Sequence, residues 1–473
     1  MKAIRFIVLG ALLASITYAQ EDKRPRIDVE SYTIDAQINP DTQTLTARTA
    51  VRFTPLDDQT TSVIFELNNN LNISKIVDDK GQSITGARNQ QDNTVRLAFP
   101  NALAKGQPAT VTFTYDGRLS GTEESPVYGI KFAAIQNDYA FLLYPARWFP
   151  VSGYTSDRFT SKMNITVPAG FQVVGSGSPS TSGQVWSFDF TKASFPGDIA
   201  VVKGQPVKNM TEGLTTTLWF RGAEAAFANN YGAETAQILS YFTGIYGLAP
   251  YASMTVVETA DGAPNGYCAP GVLFLAPHSI AKDVNTNVLV NQIARQSWEV
   301  DVSPVNRNHM WLENGMALYA EALWDEHEKG AAAIEQRMKD SSVTALTVDN
   351  VPLIQTARLE DYSPEYWALS ASKGAVVMHM LRSTIGDEKF FETLKVFLKQ
   401  YAWKSATTED FRKVAEGLTG EDLSYFFIQW VQSDGAPEFK LEYTIFRTTK
   451  GFRVQGKIAQ DLDTFRMPVD LHI

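Results

Sequence analysis

The amino-acid sequence predicts a mixed α+β protein built from several domains. Apolar and polar residues alternate with period two over the first part of the chain, helical spacing replaces this pattern near Gly222, and alternation returns after Pro437. The chain has 473 residues, which is longer than one ordinary domain. We therefore expect an N-terminal antiparallel β domain, a mainly α domain and the beginning of a third domain rich in strands.

The N-terminal domain is assigned to residues 20–205. Its alternating stretches, for example 45–53, 95–99 and 111–115, are rich in β-branched and aromatic residues, and turn sequences such as Asp116-Gly117 lie between them. Many predicted strands with no long helical pattern between them favour a large antiparallel β domain.

The second domain is assigned to residues 206–435. A short strand at 254–257 and a Gly/Pro-rich loop at 261–266 precede most of its helices. Thr407 or Thr408 is suited to cap one helix. Helical spacing of apolar residues predicts helices at 223–246, 285–298, 311–325, 373–381, 390–401, 408–417 and 423–432.

The last segment, residues 436–473, alternates again. About 38 residues supply three or four strands, whereas a free-standing β sandwich needs ~100 residues. We therefore expect the beginning of a β domain that is truncated in this sequence.

The first nineteen residues have the pattern of a secretory signal peptide. Lys2 and Arg5 precede an apolar run from Phe6 to Ile16, and small residues lead to Ala19. The run is shorter than the ~20 residues of a spanning helix, and no later segment is long and apolar enough to span a membrane. We expect an exported protein, periplasmic or extracellular, without a transmembrane segment after signal cleavage.

Composition argues against several other classes of protein. Lys and Arg total 42 against 52 Asp and Glu, a net charge of −10, and no basic block suggests nucleic-acid binding. The single cysteine, Cys268, excludes an intrachain disulfide and a multi-thiolate zinc site, and we expect it to be a buried thiol. His309, His327 and His379 lack metal-ligand spacing, so we expect packing or surface roles for them.

Four short motifs suggest a family. They are Tyr144-Pro145-Ala146-Arg147-Trp148-Phe149-Pro150, Tyr246-Gly247-Leu248-Ala249-Pro250-Tyr251, Trp311-Leu312-Glu313-Asn314-Gly315-Met316-Ala317, and Ser372-Lys373-Gly374. In this order, on this domain plan, the sequence resembles the aminopeptidase N family, which is peptidase family M1. The resemblance implies an N-terminal β saddle, a thermolysin-like second domain and a following β sandwich.

The zinc-binding motif of that family is altered in this sequence. The family's H-E-x-x-H helix supplies two ligands and a general base, and a Glu after eighteen residues supplies the third ligand. The matching positions here are Asn291, Gln292, Arg295 and Asn314. Neutral amides are poor zinc ligands, and Arg295 would place a permanent cation where the metal would lie. The resemblance therefore predicts that zinc and the general base are absent.

Two further family positions are changed as well. The Glu that holds the substrate amine matches Asn265, and the Tyr that stabilises the oxyanion matches Ala371. Tyr366, the nearest phenol, lies five residues earlier, and α-helical geometry predicts that it points elsewhere. The same geometry, ~100° per residue, predicts that Glu313 points away from the site of Asn314.

We interpret the chain as an exported pseudopeptidase that binds a peptide or protein in the old active-site cleft. Arg295 would then offer a cation to an anionic group such as a C-terminal carboxylate. One alternative is an active hydrolase of the same family that uses unrecognised acids among Glu258, Glu299, Asp301 and Glu313. Another is a structural protein with a collapsed cleft. The expected ligand-contacting residues are Arg295, Asn291, Gln292, Asn265, Tyr267 and Tyr366.

Overall fold

The computed structural model describes residues 26–469 apart from 122–124, 126, 128, 144–145, 154–155, 212, 252, 349, 463 and 468. The predicted signal peptide at 1–19, Tyr144-Pro145 of the first family motif and the alternating residues Leu471 and Ile473 lie outside the described residues.

The N-terminal part consists of strands, as the period-two alternation predicts. They are β1 (Ile27–Asn39), β2 (Thr44–Pro55), β3 (Thr60–Glu66), β4 (Leu71–Asp78), β5 (Thr85–Asn89), β6 (Thr94–Leu103), β7 (Ala109–Arg118), β8 (Ala133–Ile135), β9 (Ala140–Leu142), β10 (Phe159–Thr166), β11 (Phe171–Gly175), β12 (Ser180–Ser182), β13 (Val185–Ser194) and β14 (Ile199–Lys203).

These strands form three sheets around one apolar core. Their orders are β12-β13-β10-β1-β2-β7-β4, β3-β6-β5 and β11-β14-β9-β8. Inward-facing aromatic residues such as Phe53, Phe65 and Phe113 are fully buried between them. The expected antiparallel pairing holds except between β1 and β10, which are parallel, with Tyr32 opposite Ser161.

The next part combines a sheet with helices. Strands β15 (Val207–Thr211), β16 (Leu214–Trp219), β17 (Ser253–Glu258), β18 (Gly266–Ala269) and β19 (Val272–Leu275) form a sheet of order β15-β16-β17-β19-β18. Strands β18 and β19 were not predicted, because each spans only four residues beside a Gly/Pro-rich loop. Strand β18 forms one edge of this sheet.

The helices follow most of the predicted segments. They are α1 (Ala228–Tyr246), α2 (Thr286–Arg295), α3 (Trp311–Lys329), α4 (Ala331–Ala345), α5 (Pro364–Trp367), α6 (Gly374–Ile385), α7 (Asp387–Tyr401), α8 (Thr408–Thr419) and α9 (Ser424–Phe427), with the short strands β20 (Val302–Pro304) and β21 (Lys404–Ala406). Helix α4 was not predicted, because its only large apolar residues are Ile334, Met338 and Val343. Thr407 caps α8 in a reciprocal capping box with Asp410, as the N-cap prediction required.

Three helices continue as π-helical turns, which the apolar spacing did not predict. The segment Gln296–Asp301 continues α2, Ala368–Lys373 continues α5, and Ile428–Gln432 continues α9. A π-helical turn brings residues five apart onto the same side, whereas an α-helical turn does not.

The strands expected after Pro437 are present as a hairpin of β22 (Phe439–Thr448) and β23 (Gly451–Gln460). After the hairpin, Phe465 returns to the helical part and packs on Trp430 with ring centroids 5.0 Å apart. The assignment of residues 436–473 to a third domain stays a prediction. No helix within the described residues is long and apolar enough to cross a membrane.

Two glycines set the packing around the centre of the helical part. A Cβ placed on Gly315 of α3 would lie 2.7 Å from the Gly374 carbonyl carbon at the start of α6. A Cβ on Gly266 of β18 would lie 2.8 Å from Cγ of Gln292 on α2. Both distances are too short for a side chain at these positions. Helices α3 and α6 therefore meet backbone against backbone, whereas the bare backbone of β18 packs against the Gln292 side chain of α2.

Candidate functional site

An open cleft of about 690 Å³ lies between residues 129–130 of the N-terminal part, the edge strand β18 and helices α2, α3 and α5. Its volume falls within the ~300–1,000 Å³ that is usual for ligand sites. The cleft is lined by the eight positions that match the family's altered site or were expected to contact a ligand, namely Asn265, Tyr267, Asn291, Gln292, Arg295, Asn314, Tyr366 and Ala371.

Arg295 joins the two helices that form the floor of the cleft. Its Nε donates to Oδ1 of Asn291, one turn earlier on α2, at 3.0 Å. Its Nη2 donates to Oδ1 of Asn314, on the first turn of α3, at 2.8 Å. The three positions that match the family's zinc ligands therefore meet, and a guanidinium group lies between the two amides.

Two carboxylates bind the same guanidinium group. Nη1 of Arg295 donates to Oε2 of Glu299 at 3.0 Å and to Oε1 of Glu313 at 2.7 Å. The prediction that Glu313 points away was wrong, because a guanidinium has separate nitrogens that reach neighbouring positions on α3. The expectation that Arg295 offers its charge to an anionic ligand stays a prediction; within the chain, that charge is already paired with two carboxylates.

Burial shifts the acid–base equilibria of this cluster. Desolvation, followed by repulsion from Glu299, raises the pKa of Glu313 to about 8, although Arg295 opposes the shift. Burial raises the pKa of Glu299 as well. Desolvation alone would lower the pKa of Arg295, but its ion pairs with Glu299 and Glu313 outweigh it and hold that pKa above the ordinary value. Arg295 is therefore a permanent cation here.

The amide nitrogens of Asn291 and Asn314 also donate hydrogen bonds. Asn291 Nδ2 donates to Oε1 of Glu321 at 2.8 Å, and Glu321 in turn pairs with Arg337 at 3.0 Å. Asn314 Nδ2 donates to the hydroxyl of Tyr366 at 3.2 Å and to Oγ of Ser370 at 3.1 Å. Burial raises the pKa of Glu321 to about 7.

Tyr366 reaches the site, contrary to the α-helical geometry assumed from the sequence. The chain after α5 is π-helical at Ala368–Lys373, and Tyr366 and Ala371 both line the cleft. Ala371 itself carries no hydrogen-bond donor on its side chain. The phenol therefore contacts Asn314 from a position five residues earlier than the family's tyrosine.

This donor set does not fit zinc. Both side-chain oxygens that could face a metal, Oδ1 of Asn291 and Oδ1 of Asn314, accept hydrogen bonds from Arg295. Zinc sites are built from Cys, His and carboxylate ligands, and a guanidinium repels a divalent cation. The part of the chain that the structure describes holds no group of three or more His, Cys, Asp or Glu residues arranged to bind a metal.

In the Gly/Pro-rich loop at 261–266, the position that matches the family's amine-binding glutamate is Asn265, which carries no carboxylate. Asn265 Oδ1 lies 2.6 Å from Nε2 of His278, a contact that the sequence did not indicate. Tyr267, two residues further, packs edge-on against Phe132 of the N-terminal part with centroids 6.3 Å apart.

The four acids proposed for an alternative catalytic site separate into two groups. Glu299 and Glu313 line the cleft. Glu258 instead pairs with Arg221 at 3.4 Å, and Asp301 accepts from the backbone of Trp403 at 3.1 Å; neither lines the cleft.

The remaining reactive side chains have structural contacts. Cys268 is buried, Gln296 Nε2 lies 2.9 Å from its Sγ, and burial raises the pKa of the thiol, as the buried-thiol prediction required. His309 Nδ1 contacts Oγ1 of Thr408 at 2.9 Å, His379 lies 3.2 Å from the Tyr319 hydroxyl, and His327 stacks on Tyr241.

Arg158 of the N-terminal part anchors the helix that carries the site, a role that the sequence did not reveal. Its guanidinium donates to the carbonyl oxygens of Val300 at 2.5 Å and Asp301 at 3.1 Å, and to Oγ of Ser303 at 2.8 Å. These carbonyls end the π-helical turn that contains Glu299. The N-terminal strands therefore fix the position of one partner of Arg295.

The fold is the mixed α+β fold of solved M1 zinc metallopeptidases. The structure is similar to that of a mutant M1 zinc metallopeptidase from Deinococcus radiodurans, with a TM-score of 0.69 and 18% identity over 87% of this chain and 96% of that one. The same mutant bound to a Tyr-Ser-Ala substrate gives a TM-score of 0.68.

The sequence comparisons support the particular family. Residues 275–430 match the Peptidase family M1 domain. The chain is 26% identical over 227 residues to Aminopeptidase M1 of Arabidopsis thaliana, covering 45% of this chain and 26% of that protein. It is 22% identical over 245 residues to Glutamyl aminopeptidase of Bitis rhinoceros, covering 48% of this chain and 26% of that protein. The matched region spans about a quarter of these relatives. The chain is thus aminopeptidase-like, as the four motifs suggested.

Proposed function

We propose that this chain binds a peptide or a protein segment in the cleft without cleaving it and without zinc. The observation that carries the proposal is the placement of Arg295. Its guanidinium joins Asn291 to Asn314 at 3.0 and 2.8 Å, where the family keeps its zinc ligands. A metal ion would have to displace a cation that is already bonded to two amides and two carboxylates.

The other catalytic positions support the same proposal. Gln292 offers no carboxylate to activate water, and Ala371 offers no donor to an oxyanion. Asn265 offers no charge to a substrate amine. The open cleft remains suited to binding, because it combines aromatic walls such as Trp367 with a few convergent polar groups.

The alternative of an active hydrolase with unrecognised residues has less support. It needs convergent acids that are available to a metal or a substrate. Glu299 and Glu313 meet in the cleft, but both bind the same nitrogen of Arg295.

The proposal is tested by measuring metal and activity together. The purified chain is incubated with excess zinc, dialysed and analysed by inductively coupled plasma mass spectrometry, and it is assayed on a panel of aminoacyl fluorogenic amides. We expect substoichiometric zinc and no turnover, with a zinc aminopeptidase as the positive control. Stoichiometric zinc together with turnover would refute the proposal.

We also propose that the protein is exported. The support is the pattern of residues 1–19, with two basic residues, an apolar run and a small residue at position 19. Mass spectrometry of the protein recovered from its native host should give an N-terminus at Gln20. An intact Met1 would contradict export by signal cleavage.

A further inference from the structure

The hairpin of β22 and β23 has an apolar face that remains exposed to solvent. Side chains two apart on a strand share a face, and so do residues directly opposite each other, such as Leu441 and Ile458. All residues from 439 to 458 are exposed. One face carries seven large apolar side chains and is called the apolar hairpin face: Phe439, Leu441, Tyr443, Ile445, Phe452, Val454 and Ile458.

The opposite face of the hairpin is mostly polar, so the hairpin is amphipathic. Its charged residues are Lys440, Glu442, Arg453 and Lys457, and Glu442 lies opposite Lys457. An amphipathic sheet with one apolar face is the usual layer of a two-layer packing, because the apolar face gains free energy only when it is covered.

The chain that follows the hairpin packs on the helical part instead of on this face. Gln429, in the π-helical turn after α9, binds the backbone N–H and carbonyl of Arg466 at 2.8 and 2.7 Å. Phe465 packs on Trp430. The hairpin is therefore anchored at its base, and the described residues after it leave the apolar hairpin face uncovered.

The exposed apolar area is large enough for a stable interface. The seven side chains belong to residues that are between 36% and 75% exposed, and together they present roughly 600 Å². This value is at the upper end of the ~300–600 Å² of the largest apolar patch on a typical monomer. With a polar rim it approaches the ~800 Å² that each partner contributes to a standard interface. An isolated two-stranded hairpin is also only marginally stable in water, so covering this face would stabilise it.

The charges at the two ends of the hairpin indicate which partner fits. Arg447 and Lys450 lie at its turn, whereas Glu438 and Asp461 lie at its base. The apolar hairpin face carries no charge between these ends. If two copies stack with their strands antiparallel across a two-fold axis, the basic turn of each copy lies over the acidic base of the other. One surface then complements itself, as a symmetric dimer requires.

We propose that the apolar hairpin face is a dimer interface, on which the same face of a second copy of this chain docks in antiparallel orientation. The two hairpins form a small two-layer sandwich with ~10 Å between the layers. Pairing of the hairpins edge to edge would extend the sheet but leave the apolar face in water, so stacking is favoured. This inference goes beyond the proposed function, because it concerns neither the cleft nor its ligand.

Sedimentation velocity of the full chain over a range of micromolar concentrations tests the inference. We expect an equilibrium between monomer and dimer. Ile445→Glu should weaken dimerisation at least about hundredfold, because a charge buried without a partner is strongly unfavourable. Phe446→Glu is the matched control: Phe446 is the next residue and is 48% exposed, but it lies on the opposite face, so dimerisation should not change. Circular dichroism confirms that both variants fold.

Further variants test the antiparallel orientation. Arg447→Glu combined with Lys450→Glu makes the turn acidic and should weaken dimerisation about tenfold at low ionic strength. Adding Glu438→Lys should recover about threefold of this loss. Within one chain the turn and the base are ~30 Å apart, which exceeds the Debye length of ~10 Å. Recovery therefore requires contact between two copies.

Three results overturn the inference. The first is a monomer at every concentration, which leaves the apolar hairpin face to a different protein or to further strands of a longer chain. The second is a dimer that Ile445→Glu does not weaken, and the third is an equal loss with Ile445→Glu and Phe446→Glu. A dimer without recovery by Glu438→Lys overturns the antiparallel orientation. None of these results bears on zinc content or turnover, which test the proposed function separately.

Discussion

Nη2 of Arg295 on α2 donates to Oδ1 of Asn314 on α3 across 2.8 Å. This bond joins α2 and α3, the two helices whose positions match the family's zinc ligands. The same guanidinium forms ion pairs with Glu299 and Glu313. A single side chain therefore supplies positive charge to a buried acidic cluster and links the helices around it.

Replacing Arg295 by methionine should destabilise the protein strongly at pH 8. The substitution leaves Glu299 and Glu313 buried without a cation, and breaking a buried ion pair on one side typically costs about 3–5 kcal/mol. The loss should be smaller at pH 5, where both acids can be protonated in place of the ion pair.

Urea denaturation at the two pH values measures this effect. Arg26→Ala is the control, because Arg26 forms an exposed ion pair with Asp57 at 2.9 Å, and its side chain is 72% exposed. Such surface pairs contribute about 0–1 kcal/mol. An Arg295→Met variant as stable as the Arg26→Ala variant at pH 8 would show that the buried network is not stabilising.

Replacing Glu313 by glutamine should flatten the dependence of stability on pH. Burial raises the pKa of Glu313 to about 8 in the folded chain, above the 4.5 of the free side chain. Between these values the folded state binds more protons than the unfolded state, so stability falls as the pH rises through this window. The decrease due to this group is on the order of 1–3 kcal/mol after allowing for Arg295.

The variant Glu313→Gln keeps an oxygen that can accept from Arg295 but no longer titrates. Its free energy of unfolding should therefore fall less between pH 5 and 8.5 than that of the unmodified chain. Glu421→Gln, an exposed substitution outside the cleft, serves as the control. If both variants follow the pH profile of the unmodified chain, Glu313 is ionised in the folded protein already at pH 5.

The positions of the site were predictable from sequence, but their contacts were not. The resemblance to the family, whose spacing between ligand positions is kept from Asn291 to Asn314, implied that these residues meet. Tyr366 and Glu313 were misjudged because the first depends on a π-helical turn and the second on the reach of an arginine side chain. Arg158 could not be found at all, since its contacts with Val300 and Asp301 join segments more than 140 residues apart.

The closeness of α3 and α6 leads to a prediction about packing. Gly315→Ala places a methyl group 2.7 Å from the Gly374 carbonyl carbon, so one helix must move. Overpacking of this kind costs about 1–3 kcal/mol. Because Gly315 follows Asn314, the shift should also weaken peptide binding in the cleft.

Gly417→Ala provides a matched comparison within α8. Nothing lies within 4 Å of a Cβ at that position, so alanine should stabilise the helix by roughly 0.5–1 kcal/mol. Thermal unfolding should therefore shift in opposite directions for the two variants. A shift of the same sign in both would contradict the close contact between α3 and α6.

Restoring the family's ligands should create a zinc site on this backbone. The variant Asn291→His, Gln292→Glu, Arg295→His and Asn314→Glu removes the guanidinium and places His, His and Glu at three positions that already meet. Because these positions lie on preformed helices and supply the three protein ligands that catalytic zinc sites use, about one zinc ion should bind per chain. Metal analysis after dialysis, and the rise in melting temperature on adding zinc, measure the binding.

A triple variant that keeps Arg295 is the control for this experiment. It carries Asn291→His, Gln292→Glu and Asn314→Glu, and it should bind no zinc, because the arginine still lies between the two helices. Turnover by the quadruple variant should remain low, since Asn265 and Ala371 still lack the amine anchor and the oxyanion donor. Zinc binding by the triple variant would show that Arg295 moves aside, and the proposed reason for the loss of metal would then be wrong.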